Sequence, residues 1–199
     1  IPPKPLPTRG RPPTGWQDTY NKLRARPSEG NPFRPVDALK AWNSARLGQL
    51  CASGFLAQAP DRLYAYDPPD GRPLPPYRYL PNVTYPNGLV TNQIGWRGPP
   101  IDMPRGRHTV RIVFVGASTV MENHESPYSF PEYTGHWLNI WAKARNLDVS
   151  FEVLNAARDG IASHDIAEVI RTEVMLLRPN LVVYSEGANQ FDLKPLVER

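Results

Sequence analysis

Cysteine is almost absent from this sequence, with Cys51 the single one among 199 residues. A lone cysteine excludes an intrachain disulfide and a cysteine-rich metal site, and it fits the cytosol and the periplasm equally. Long apolar runs are absent too, because no window approaches the roughly eighteen continuous apolar residues that a membrane span requires. The pattern of a secretory signal peptide is also missing. We therefore expect no membrane span in this chain.

Strong charge of one sign is likewise missing. The formal net charge at pH 7 is only +4, and the arginines are scattered without a dense basic run. Such a distribution indicates a solvated surface and gives no basis for nucleic-acid binding.

Proline is abundant, but it is nearly confined to the first half of the chain. Nine of the 24 prolines lie in residues 1–36 and eleven in 60–104. Proline fixes φ and removes a donor, so regular structure is not expected where it clusters. We predict a Pro-rich extended arm over 1–36, a helix (37–50) with a Pro/Tyr-rich lead-in over 37–104, and an α/β domain over 105–199.

Alternating apolar strands and amphipathic helices characterise the second half. This β-α-β-α-β order favours a parallel sheet with helices on both faces. The predicted strands are 111–115, 149–154 and 181–185, and the predicted helices are 131–146 and 163–177.

Small polar residues follow each predicted strand, as GAST (116–119), NAARDG (155–160) and EGANQ (186–190). The carboxyl ends of parallel strands are where such sheets carry their chemistry. Ser118 is either an ordinary helix cap or a nucleophile. Glycine N–H groups and the Asn189 amide are donors of the kind that hold the oxyanion of an acyl-transfer intermediate. The three strand ends together favour acyl transfer.

These three blocks, in this order, resemble the first conserved blocks of the SGNH (GDSL-type) hydrolases. The upstream segment GLVTNQIGWRGPP (88–100) resembles the N-x-x-G-aromatic-R-G lead-in of one bacterial branch of that family. The resemblance covers about residues 77–192. It implies a flavodoxin-like three-layer α/β/α sandwich, incomplete in this chain.

The resemblance also implies roles for individual residues. Ser118 would be the catalytic nucleophile, and the oxyanion hole would comprise the Ser118 N–H, the Gly160 N–H and the Asn189 side chain. Substrates would be acyl esters, commonly acetyl esters, of carbohydrates or lipids, and no metal or organic cofactor is implied. Ala117 stands where the family usually has Asp.

A general base is the part that the chain does not supply. The family takes its Asp and His from a D-x-x-H block, which would lie beyond Arg199. His108 precedes the first strand, His136 lies in a helix, and His164 belongs to a contiguous SHD whose side chains point apart; Ser163 there reads as a helix cap. His124, in the loop after Ser118, is a weaker candidate base.

Three functions remain open at this point: a serine esterase, a non-catalytic SGNH-like scaffold that binds partners through the arm and the tyrosine-rich loop, and an O-acyltransferase. We expect a further polypeptide or C-terminal segment to complete the sheet, because three strands would leave an edge uncovered. The family resemblance favours a periplasmic or membrane-anchored extracytoplasmic bacterial location.

Overall fold

A computed structural model describes residues 77–85, 88–122, 128–185 and 189, together with the backbone of 65–66. The predicted arm, the helix predicted at 37–50, His124 and Gly187 lie outside these residues. In chain order the elements are β1 (Ala65–Tyr66), β2 (Arg78–Tyr79), β3 (Thr109–Gly116), α1 (Ser118–Met121), α2 (Phe130–Ala144), β4 (Ser150–Asn155), α3 (Ser163–Thr172), a 3-10 helix (Val174–Leu177) and β5 (Leu181–Ser185).

A parallel three-stranded sheet with the order β4-β3-β5 forms the centre of the α/β part. β3 pairs with both neighbours, so that Phe114 lies opposite Asn155 and Gly116 lies opposite Ser185. Burial explains the apolar composition of β3, in which every residue from Arg111 to Gly116 is buried. The predicted α/β class and parallel sheet are therefore confirmed, with strand bounds shifted by at most two residues.

Helices cover both faces of this sheet. On one face Phe114 of β3 meets Phe130 of α2, with ring centroids 5.5 Å apart. Arg111 of the same strand donates through Nη1 to the Leu177 carbonyl at 2.8 Å, at the end of the 3-10 helix. Since side chains alternate along a strand, positions 111 and 114 point to opposite faces. α2 and the segment from α3 to the 3-10 helix therefore lie on opposite sides.

The predicted helix 163–177 is interrupted, which corrects the sequence interpretation. α3 ends at Thr172, and a 3-10 helix begins at Val174. Glu173, between them, is buried and takes part in ion pairs rather than continuing the helix. Ser163 does not cap α3 as predicted, because the N-cap position belongs to Ala162, whose N–H donates to the Asp165 carboxylate at 2.9 Å.

The outer edge of β4 is covered by side chain and backbone groups. The N–H groups of Ser150 and Ala156 donate to carbonyls on the β3 side. Because backbone groups alternate along a strand, those of Phe151, Val153 and Asn155 point to the opposite, outer side. The Asn139 amide of α2 accepts from Phe151 N–H and donates to its carbonyl, both at 2.8 Å. Arg97 pairs with Asn155 in an antiparallel bridge. Both ends of this edge thus have partners.

The lead-in region shares one hydrophobic core with the sheet. Its buried apolar side chains pack with those of β3, β4 and α3; they are Tyr77, Tyr79, Tyr85, Leu89, Trp96 and Ile101. None of the helices in the described part of the chain combines the length and the apolar run needed to cross a bilayer.

Candidate functional site

Ser118 lies directly after the central strand, at the first position of α1. The N-cap position belongs to Ala117, so the interpretation of Ser118 as an ordinary helix cap is wrong. Its side chain is half-buried, and no residue that the structure describes accepts or donates a hydrogen bond at its hydroxyl. Ser118 therefore presents an uncommitted hydroxyl at the carboxyl end of the sheet.

The carbonyl groups at the end of α1 are held by side chains from elsewhere in the fold. Asn155 donates through Nδ2 to the Val120 carbonyl at 2.7 Å. Arg97 donates through Nη1 to the carbonyls of Met121 and Glu122 at 3.1 and 2.7 Å. Terminal helix carbonyls lack partners within the helix, and these donors supply them. The side chains of Asn155 and Arg97 therefore fix the turn that carries Ser118.

Arg97 is itself anchored. Its side chain is almost fully buried, and Nε pairs with the Glu132 carboxylate of α2 at 3.0 Å. Glu132 also accepts the Ser129 N–H at 2.7 Å, at the start of α2. One arginine thus ties the end of α1 to the beginning of α2.

The loop before Arg97 explains the other residues of the lead-in motif. The Asn92 side chain accepts the N–H groups of Ile94 and Trp96 at 3.1 and 3.0 Å, which closes the turn. Gly95 has φ +80°, and a Cβ there would lie 2.3 Å from the Tyr79 carbonyl oxygen. Only glycine fits this conformation and this distance. The motif residues therefore form the turn that positions Arg97 against the end of α1.

The second strand end leads from Asn155 to Gly160. The N–H groups of Ala156 and Arg158 donate to the carbonyls of Phe114 and Gly116, so this loop continues along β3. Gly160 follows with φ +70°, and no atom lies within 4 Å of the position a Cβ would take. Gly160 is exposed, and the space on the side of its missing side chain is open.

Two buried tyrosines fix the residue before Gly160. Tyr77 donates its hydroxyl to the Asp159 carbonyl at 2.7 Å, and Tyr79 donates to the Asp159 carboxylate at 2.6 Å. Burial, and next the charge of Asp159, raises the pKa of both tyrosines well above the usual range. Both hydroxyls therefore stay protonated as donors at neutral pH.

A buried ion cluster also contacts this loop through Arg158. Glu173 accepts from Arg158 Nη2 at 2.6 Å, from Arg78 Nε at 2.9 Å and from Trp96 Nε1 at 2.9 Å. Burial alone would raise the pKa of Glu173, but the charges of Arg158 and Arg78 outweigh it and lower that pKa below its ordinary value. The cluster joins the lead-in to the loop that carries Gly160.

Asn189, which follows the third strand of the sheet, contacts the loop that follows the second. Asn189 donates through Nδ2 to the Ile161 carbonyl at 3.0 Å, one residue beyond Gly160. The amide nitrogen carries two hydrogens, so one N–H remains for another acceptor. Because β3, β4 and β5 are parallel neighbours, Ser118, Gly160 and Asn189 all lie at the carboxyl end of the sheet. Their convergence on one substrate atom stays a prediction.

None of the histidines in the described residues makes a hydrogen bond to Ser118. His108 precedes β3, at the opposite end of the sheet, and contacts Asp148 at 2.6 Å. His136 is an exposed residue of α2. His164 is exposed too, with Nε2 3.6 Å from the carboxylate of its neighbour Asp165, so SHD is not a catalytic relay. Among the residues that the structure describes, no group of His, Cys, Asp or Glu side chains has the arrangement of a metal site.

A groove of about 640 Å³ lies between α2, the edge of β4 and the segment 99–102. Tyr128, Tyr133 and His136 contribute to its walls, whereas Ser118, Gly160 and Asn189 do not. The groove is therefore separate from the carboxyl end of the sheet, where Ser118, Gly160 and Asn189 lie.

Sequence reasoning found the three strand ends but missed the residues that hold them in place. Arg97, Tyr77, Tyr79 and Glu173 are all buried polar or aromatic residues with distant partners. The one available signal was the lead-in motif, which contains Arg97. Comparison of the sequence with models of protein families, with curated proteins and with solved structures finds no match.

Proposed function

We propose that this chain is the nucleophile-bearing part of an SGNH-type serine esterase that acts on acyl, chiefly acetyl, esters of carbohydrates or lipids. The observation that carries the proposal is the uncommitted hydroxyl of Ser118, which follows the central strand on a turn held by Arg97 and Asn155. The completed sheet would be the flavodoxin-like three-layer sandwich of that family. We place the enzyme outside the bacterial cytoplasm.

In the proposed reaction, Ser118 Oγ attacks the acyl carbon, and the alcohol leaves as the acyl-enzyme forms. Backbone N–H groups of Ser118 and Gly160 and the remaining N–H of Asn189 would hold the oxyanion. The proton of Ser118 would pass to an imidazole from sequence after Arg199, oriented by an Asp. Water then releases the acid, and a sugar hydroxyl in its place would make the protein an O-acyltransferase.

A non-catalytic scaffold is the second candidate. It is favoured by one observation: none of His108, His136 and His164 makes a hydrogen bond to Ser118 in the described residues. An alcohol without a neighbouring base is a poor nucleophile at neutral pH.

Labelling of the full-length protein with an alkyl fluorophosphonate separates these candidates. We expect label on Ser118, and loss of both label and aryl acetate hydrolysis in Ser118→Ala. Ser163→Ala is the matched control, because Ser163 is also half-buried at the first position of a helix. Turnover unchanged by Ser118→Ala, with no label on the native protein, would exclude the esterase and leave the scaffold.

A further inference from the structure

α2 is built with its small residues inside and its large residues outside. The buried positions of this helix are Pro131, Gly135 and Ala142. A Cβ on Gly135 would lie 3.0 Å from Val153 Cβ, so the small inner face allows close contact with β4. An ordinary surface helix has the reverse arrangement, with its large apolar residues towards the core.

The opposite side of the helix carries exposed aromatic and aliphatic side chains, which we call the α2 outer face. The α2 outer face comprises Tyr133, Trp137, Ile140 and Trp141, and the Trp141 ring also contacts Phe151 of β4 at a centroid distance of 6.4 Å. At 100° per residue Tyr133, Trp137 and Ile140 point away from Gly135 and Ala142, whereas Trp141 projects to the side of the helix. Trp137 is 64 % exposed and Trp141 is 48 % exposed, which is unusual for tryptophan. A contiguous apolar patch of this kind marks an interaction surface.

Basic residues border the α2 outer face at its C-terminal end. Lys143 in the last turn of α2 and Arg145 at its C-cap are exposed, and the exposed Arg107 precedes β3 at the same end of the sheet. The nearby acids are Asp148, which contacts His108, and Asp102, which lines the groove beside α2. The three basic residues outnumber these two acids.

Tryptophan, tyrosine and isoleucine bordered by lysine and arginine match the chemistry of a lipid headgroup region. Aromatic rings with a polar atom concentrate at the boundary between water and hydrocarbon. Basic side chains beside them are attracted to anionic lipids, at a gain of about fivefold in binding for each charge.

We propose that the α2 outer face binds the surface of an anionic membrane, with Trp137 and Trp141 in the headgroup region and Lys143 and Arg145 on the lipid phosphates. The helix would lie in the plane of the surface and remain packed on β4. This role is independent of any chemistry at Ser118.

The test is sedimentation of the full-length protein with vesicles of phosphatidylcholine alone and of a two-to-one mixture with phosphatidylglycerol. We expect binding to the anionic vesicles and a blue shift of tryptophan emission. Trp137→Ser with Trp141→Ser should reduce binding at least tenfold, that is by about 1.4 kcal/mol or more. Lys143→Gln with Arg145→Gln should reduce it about 25-fold on anionic vesicles only.

Met175→Ser is the matched control, because Met175 is a similarly exposed apolar residue on the 3-10 helix. It should leave binding unchanged, and circular dichroism should verify that every variant is folded. Binding that survives the double tryptophan change would overturn the proposal. So would a native dimer that this change converts to a monomer, since the face would then join two copies of the chain.

Discussion

At the scale of single residues, the position of Gly160 depends on the hydroxyls of Tyr77 and Tyr79. Both oxygens bond to Asp159, one through its carbonyl and one through its carboxylate. These bonds hold the backbone directly before the proposed oxyanion donor. The tyrosines are therefore positioning residues for Gly160, although neither is predicted to touch a substrate.

Tyr79→Phe should lower the free energy of unfolding by about 1–3 kcal/mol. The change removes the 2.6 Å bond to a buried carboxylate and leaves the ring in place. Urea denaturation measures the loss. Tyr133→Phe is the control, since Tyr133 is exposed on α2 and should change stability by less than about 0.5 kcal/mol. Equal losses in the two variants would show that the Asp159 bond contributes nothing.

At the scale of elements, hydrophobic periodicity predicted the order and type of the strands and helices of the second half. The bounds of β5, predicted as 181–185, agree with the structure. The helix predicted at 163–177 does not, because Glu173 is drawn into ion pairs with Arg78 and Arg158. Periodicity reports on near neighbours only, whereas Arg78 lies 95 residues away in sequence.

The same limit applies to the lead-in loop. Its motif could be matched to a known pattern, but the pattern does not say what Gly95 approaches or which carbonyls Arg97 binds. Those partners, Tyr79 and the end of α1, are distant in sequence and become neighbours only in the fold.

Gly95→Ala and Gly160→Ala form a matched pair at this scale. Both residues have a left-handed φ, so each alanine should cost about 1–2 kcal/mol in backbone strain. Gly95→Ala adds a clash with the Tyr79 carbonyl, so its total should exceed about 3 kcal/mol. Thermal or urea unfolding of the two variants tests this. Similar losses would mean that the backbone contact at Gly95 relaxes without cost.

At the scale of the whole molecule, the cluster around Glu173 joins segments that are far apart in the chain. Arg78 and Trp96 come from the lead-in, Arg158 from the loop after β4, and Glu173 from the end of α3. A buried carboxylate with three donors makes the stability of the entire fold depend on its ionisation.

Glu173→Gln should lower stability at neutral pH by about 3–5 kcal/mol, because Arg158 stays buried without its carboxylate. In the native protein the pKa of Glu173 is lowered by the arginines, so the unfolded chain takes up a proton first as the pH falls. The stabilisation is complete above the ordinary Glu pKa of about 4.5 and declines below it.

The difference in the free energy of unfolding between Glu173→Gln and the native protein should therefore decrease as the pH falls below about 4.5. Urea unfolding at a series of pH values measures it. Asp148→Asn is the control, since Asp148 is an exposed partner of His108 and should have little effect at any pH in this range. A difference that stays constant down to strongly acidic pH would contradict the proposed role of the charge.

Because the outer edge of β4 is covered, a further strand could join the sheet more easily on its other side. A strand that joined beside β4 would first have to displace the Asn139 amide from Phe151 and the Arg97 backbone from Asn155. Beside β5 the described residues place no strand. We therefore expect any additional strand, from this polypeptide or another, to pair beside β5.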